Sequence, residues 1–379
     1  MKTTLHITNW YPNKWNDVEA TFVREQYRLF SKLTDTHLLH IAVRDSGVFF
    51  RYKYIKYSTI EEGYYILSKI KSTKIIELLT TFLLLWVLLK SKYKNYDIIH
   101  FHIAYPLLSY YSWWKKIFKK PILISEHLSA YHFNFYMPWT TRKLERIKNI
   151  FRQDIPLITV SKALLHDIEY FAGITISSWM IIPNVIDKDT FFYNKKNIND
   201  TMTFFAVNHW REIKNPFPML EGFVLLHNKG ISFKLILGGY GELVNEMKTF
   251  LLDQGMIDKV QFIGKMDKKE IASILSISDG YLIPSSYETF SVVSAQALCC
   301  GVPLIGTKLL AIEEYADSSS YLFLETNSAN EWMIKLLYFI DNQYLYNHEK
   351  IALEANSYLD NEHINTLYQK TIETWFIST

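Results

Sequence analysis

Two cysteines in 379 residues, adjacent at Cys299-Cys300, leave nothing from which to build a disulfide framework. A bridge between neighbours would be strained, so the chain reads as one kept in a reducing compartment. Long apolar runs are missing as well. The N-terminal MKTTLHITNWYP has one lysine and too short a run for a signal peptide, and a cytoplasmic home is expected. IIELLTTFLLLWVLL (75–89) carries Glu77 and falls short of the roughly 20 apolar residues that cross a bilayer. Glycine is scarce, at 13, and none of it forms the G-x-G-x-x-G of a dinucleotide turn, which argues against an NAD-linked dehydrogenase. His100 and His102 share one strand face, but no third ligand is evident, so no metal and no other cofactor is expected.

What is present is a globular balance, 49% apolar and 21% charged, in a chain long enough for two cores. The net charge of +3 is unevenly spread. Residues 1–190 hold 26 Lys and Arg against 16 Asp and Glu, and the remainder 15 against 22. A basic half that also holds YYSWWKKIFKK (110–120) suits an anionic membrane surface at the inner face of the cell membrane, or simply a solvated face.

Short β-type runs alternate with longer helical patterns throughout. LHIT (5–8), HLLHIAV (37–43), DIIHFHI (97–103), PILISEH (121–127), PLITV (156–160) and SWMIIPN (178–184) predict strands in the first half. MTFFAVN (202–208), FKLILGG (233–239), KVQFIG (259–264), GYLIPS (280–285) and VPLIGT (302–307) predict them in the second. Helical patterns between them, such as 19–33, 161–172, 215–228 and 290–299, imply parallel sheets covered on both faces. The fold class is α/β with two Rossmann-like domains, 1–185 and 186–355, and a terminal helix, 356–379, that crosses back to the first. Ligands of such sheets lie beyond the carboxyl ends of the strands.

Those ends carry the candidates. After the strand at 280–284, Glu288 can accept from sugar hydroxyls, and Thr289, Phe290 and Ser291 can offer helix-start N–H groups to phosphate. Gln296, farther along that helix, can accept from a ribose hydroxyl. His209, Arg211 and Lys214 cluster after the strand at 202–208 and suit a diphosphate. Gly239, in LILGGYGEL, is either a close-approach point for a ligand or a structural turn. His127 ends the strand of ISEHLSAY. Each has a plain reading too, as loop charge, buried polar group or core histidine.

In order, F-V-R-E-Q, D-I-I-H-F-H, S-E-H, T-V-S, P-N-V-I-D, K-N-P, L-G-G-Y-G, P-S-S-Y-E-T-F and C-G-V-P resemble the family-4 retaining glycosyltransferases. The resemblance runs from Trp10 to about Glu314. It implies the GT-B architecture, two Rossmann-like domains facing across a cleft. It also implies a nucleotide-diphosphate-sugar donor in the second domain and a glycan or lipid-linked acceptor in the first, with no nucleic-acid partner. By that likeness Lys214 binds diphosphate, Glu288 the donor sugar, Gln296 the ribose, and His127 lies near donor sugar and acceptor. Four positions depart from the pattern: Gln296 replaces glutamate, His209 an arginine, Ala20 a glycine, and Leu310-Ala311 a Gly-Gly pair. A sugar-nucleotide epimerase and a non-catalytic binding protein are the competing expectations.

Overall fold

The computed structural model describes residues 2–16, 19–115, 119–136, 140–195 and 201–376. Two compact units emerge, unit 1 from Met1–Val185 with Asn361–Thr379, and unit 2 from Ile186–Asp360. Both are twisted, mostly parallel sheets with helices, the α/β class that the alternation predicts.

Unit 1 contains β1 (Thr4–Thr8), β2 (Thr36–Asp45), β3 (Arg51–Lys56), β4 (Glu61–Ser68), β5 (Ile98–His102), β6 (Ile122–Glu126), β7 (Leu157–Thr159) and β8 (Trp179–Ile181). They lie in the order β3-β4-β2-β1-β5-β6-β7-β8. β1, β5 and β6 are buried along their whole length, polar residues included: Thr4, His6 and Thr8 on β1, His100 and His102 on β5, and Ser125 and Glu126 on β6. β3 and β4 form an antiparallel hairpin that the sequence reading missed. β3 is RYKYIK, an edge strand whose Arg and Lys blunt unwanted pairing, and charge of that kind hides a strand from an apolar count.

The last helix, Asn361–Phe376, packs Ile364, Tyr368, Ile372 and Phe376 into the core of unit 1 beside Phe30, Ile98 and Leu123. Tyr368 stacks on Phe30 with ring centroids 3.6 Å apart, a contact that contributes about 1 kcal/mol beyond its buried area. The apolar segment near 75–89 forms the helix Thr73–Leu88. It buries Leu83, Leu84, Val87 and Leu88 and leaves Ile75, Phe82 and Trp86 exposed. Among the described residues no helix is long and apolar enough to cross a membrane. Glu77, in that helix, is 1% exposed and is held by Lys143, Arg146 and the Tyr105 hydroxyl.

Unit 2 contains β9 (Met202–His209), β10 (Phe233–Tyr240), β11 (Val260–Gly264), β12 (Gly280–Ile283), β13 (Leu304–Thr307) and β14 (Tyr321–Leu324), in the order β11-β10-β9-β12-β13-β14. β14, only four residues long, was not foreseen. The chain winds outward from β9 through β10 to β11, then returns to place β12 on the other side of β9. The carboxyl ends of β9 and β12 therefore flank a topological switch point, where an open α/β sheet leaves a crevice for a ligand.

Candidate functional site

The loops that leave β9 and β12 meet at that switch point. Trp210, fully buried, fixes the first by donating its indole N–H to the Gly238 carbonyl at 2.7 Å. The Ser286 amide donates to the Ile213 carbonyl at 2.9 Å and ties the second loop to the first. Between them the Lys214 ammonium is paired with the Glu288 carboxylate, both side chains largely buried. Ser285 donates to the same Glu288 Oε1 at 2.8 Å. Two residues 74 apart in sequence thus become one ionic unit. Ser285 was not among the expected site residues, although its spacing of three from Glu288 was the available signal.

His209 and Arg211 are exposed beside Lys214, and His209 stacks on Tyr240. Burial first, then the repulsion of Arg211 and Lys214, lowers the His209 pKa. The carboxylate of Glu242 acts in the opposite sense, and Lys214 is itself answered by Glu288. Gly239 has φ of 101°, and a Cβ there would stand 1.8 Å from the Asn208 carbonyl oxygen. Glycine is required at this position by its neighbouring strand, which favours the structural-turn alternative.

The helix after β12 starts at Val292. Thr289 and Phe290 precede it, so the expectation that they supply its first N–H groups is corrected. Ser291, at φ 63°, is the residue before the first turn, and the groups in question belong to Val292 through Ser294. Phe290 is buried, and its carbonyl accepts from the Tyr315 hydroxyl at 2.6 Å. Gln296 is 6% exposed, and its side-chain carbonyl has no partner. A buried acceptor left unpaired costs about 1–3 kcal/mol unless something outside the chain satisfies it.

In unit 1, His127 follows β6 and is 7% exposed against Phe22. Burial, reinforced by His102 and opposed by a hydrogen bond to Asn184, lowers its pKa to about 3, so the ring is neutral at physiological pH. It can donate or accept a hydrogen bond but does not carry a charge. Glu126, which sequence reasoning passed over, is fully buried and accepts from the Ala104 amide at 2.7 Å and the Tyr131 hydroxyl at 2.7 Å. It fastens the loops after β5 and β6 together. The third histidine absent from the linear reading is His6 on β1, in register with His100. His6, His100 and His102 form a fully buried cluster with ring nitrogens within 4.8 Å of one another. Four of the six ring nitrogens have partners, His6 Nδ1 facing His102 Nε2 at 3.0 Å and His100 meeting Ser125 and Tyr368, while His6 Nε2 and His102 Nδ1 are buried without one. We assign the cluster no ligand role.

Two family models meet almost end to end on this chain. Glycosyltransferase Family 4 matches residues 35–190, and Glycosyl transferases group 1 matches 187–356. The chain belongs to the family-4 GT-B glycosyltransferases. Among curated relatives, this family-4 chain is 31% identical over 108 residues to N-acetyl-alpha-D-glucosaminyl L-malate synthase of Bacillus anthracis, covering 28% of each protein. It is 28% identical over 135 residues to the putative glycosyltransferase EpsF of Bacillus subtilis, covering 33% of this chain and 35% of that one. The match thus spans about a third of these relatives' own length. Among solved structures, sucrose-phosphate synthase from Thermosynechococcus elongatus superposes with a TM-score of 0.77 at 15% identity, covering all of both chains. Anabaena Alr3699/HepE in complex with UDP and glucose superposes at 0.75 and 13%, covering 99% of this chain and all of that one. At such identities the likeness is one of fold.

Proposed function

We propose that this protein transfers a sugar, with retention of anomeric configuration, from a nucleotide-diphosphate sugar bound by unit 2 to a glycan or lipid-linked acceptor bound by unit 1. The observation that carries the reading is the switch-point group of unit 2. Lys214 and Glu288 are joined there, His209 and Arg211 stand exposed beside them, and the carbonyl of Gln296 lies buried and unpaired. Lys214 and Arg211 would hold the diphosphate, Glu288 the donor sugar and Gln296 a ribose hydroxyl. His127, neutral, would orient a sugar hydroxyl. The complex of HepE with UDP and glucose supports a nucleotide-sugar partner, and the names of the curated relatives support transfer.

The acceptor would lie at an anionic membrane surface. Tyr110 and Tyr111 are buried, so they cannot serve as interfacial aromatics, and residues 116–118 of that stretch lie outside those described. The better support is the helix Thr73–Leu88 and the residue after it, where Phe82, Trp86 and Leu89 are exposed and Lys90 lies over the Trp86 ring. Thermal unfolding of the protein with UDP-, GDP-, ADP- and dTDP-sugars tests the donor assignment. One of them at saturating concentration should raise the Tm by several degrees, because binding to the native state stabilises it. No shift with any of the four would refute the donor site.

A further inference from the structure

A hollow of mixed lining lies in unit 1, outside the residues assigned above to donor and acceptor. It is a cavity of about 320 Å³ between Leu108–Trp113 and the helix Thr141–Phe151 with its C-terminal extension. That is the size at which small-molecule sites begin. On the helix side Arg142, Arg146 and Asn149 stand at i, i+4 and i+7, one stripe of a 3.6-residue repeat, and Gln153 extends it past the helix end. RKLERIKNIFRQ therefore turns a run of hydrogen-bond donors toward two aromatic rings. Tyr110 and Trp113 are 4.4 Å apart between centroids, and the Arg146 guanidinium lies 5.0 Å from the Tyr110 ring. Trp113 is 56% exposed, which leaves ring area available to a ligand.

Two polar atoms lack partners here. The Ser109 side chain is 6% exposed, and its hydroxyl makes no hydrogen bond. Arg146 donates from Nη2 to Glu77 at 2.7 Å, yet its buried Nε is unpaired. The charges do not balance either. The carboxylate of Glu77 answers both Lys143 and Arg146, and Arg142 has no carboxylate partner among the described residues. The surplus of positive charge beside partly desolvated walls favours an anion. Rings that present flat apolar faces favour the C–H face of a sugar.

We propose that this hollow binds a saccharide unit bearing one anionic group, a phosphate or a carboxylate. Arg142 and Arg146 hold the anion, Ser109, Asn149 and Gln153 reach the hydroxyls, and Trp113 covers one face of the ring. The site involves only unit 1 and stands or falls apart from the donor assignment.

Calorimetric titration of the whole protein with glucose 6-phosphate, glucuronate, glucose and inorganic phosphate tests it. Either charged sugar should bind about tenfold more tightly than glucose or inorganic phosphate, since a charge-assisted contact is added to the ring contact. Whichever binds better names the anion. Arg142→Gln and Trp113→Ala, both at exposed side chains, should each weaken binding by about fivefold or more, and Lys214→Ala should leave it unchanged. Equal affinity in the parent and Arg142→Gln would overturn the proposal, as would loss of binding in Lys214→Ala, which would place the ligand in unit 2. Inorganic phosphate binding as tightly as the sugars would reduce the hollow to an ion site and remove the saccharide.

Discussion

Acidification should unfold unit 1 well above the pH at which its carboxylates titrate. His6, His40, His100, His102 and His127 all lie in unit 1, and burial is the largest cause holding each below its ordinary value. For His40, His102 and His127 the value falls to about 3. A histidine kept neutral when folded and free to titrate when unfolded binds its proton preferentially in the unfolded chain. The stability it contributes is present above about pH 6.5 and is lost as pH falls from there toward the folded value. Between pH 7 and 5 each costs about 2 kcal/mol, a figure fixed by the unfolded pKa once the folded one lies far lower. Three such groups cost about 6 kcal/mol, comparable with the whole stability of an ordinary domain. His6 and His100 act in the same sense. Glu126 opposes them, because burial raises its pKa and favours the folded state once it is protonated. Urea titrations at constant ionic strength between pH 7.5 and 5.0 should show the midpoint falling steeply with little change in slope. His102→Asn and His40→Gln should each remove about one proton from the linkage. A stability that stays flat from pH 7.5 to 5.5, or a dependence unchanged in both variants, would show that these histidines are reached by water and titrate normally.

Four further outcomes can be checked directly. Lys214→Ala should weaken binding of the free nucleoside diphosphate by about tenfold or more, measured by calorimetry, since a charge-assisted contact contributes about 1.5–3 kcal/mol. Glu288→Gln should separate affinity from rate. Releasing Lys214 from its carboxylate tightens diphosphate binding several-fold, while turnover falls because the donor sugar loses its ionised acceptor; unchanged binding would mean that the ion pair persists with donor. Ala20 sits at φ 45°, a left-handed conformation that strains any residue with a Cβ, so Ala20→Gly should stabilise unit 1 by about 1 kcal/mol in urea unfolding. Phe82→Glu should abolish cosedimentation with anionic vesicles at low salt, and equal binding of the parent to neutral vesicles would exclude the electrostatic part of the membrane reading.

The sequence by itself determined the class of fold, because short β-type runs alternate with helical patterns along the whole chain, and that order requires mostly parallel sheets covered by helices. β1, β5, β9 and β10 begin and end within a residue or two of LHIT, DIIHFHI, MTFFAVN and FKLILGG. It also determined which side chains follow the strand ends, and hence Lys214, Glu288, Gln296 and His127 as candidates. It could not determine partnership, since Lys214 and Glu288 are 74 residues apart and only the return of β12 to the side of β9 joins them. His6 shows the same limit: it lies 94 residues before His100, and pairing of β1 with β5 in register makes them neighbours. The β3–β4 hairpin escaped notice for two reasons: β3 is an edge strand whose charge hides the strand signal, and β4, which lies inside the sheet, opens on two glutamates and a glycine of low strand propensity. Nor could spacing say that Gly239 answers to the Asn208 carbonyl or that the carbonyl of Gln296 would be left unpaired. Local pattern fixes which backbone can form and which face is apolar. Close approach, charge pairing and unmet hydrogen bonds depend on segments distant in the chain, and only the packed tertiary structure brings those together.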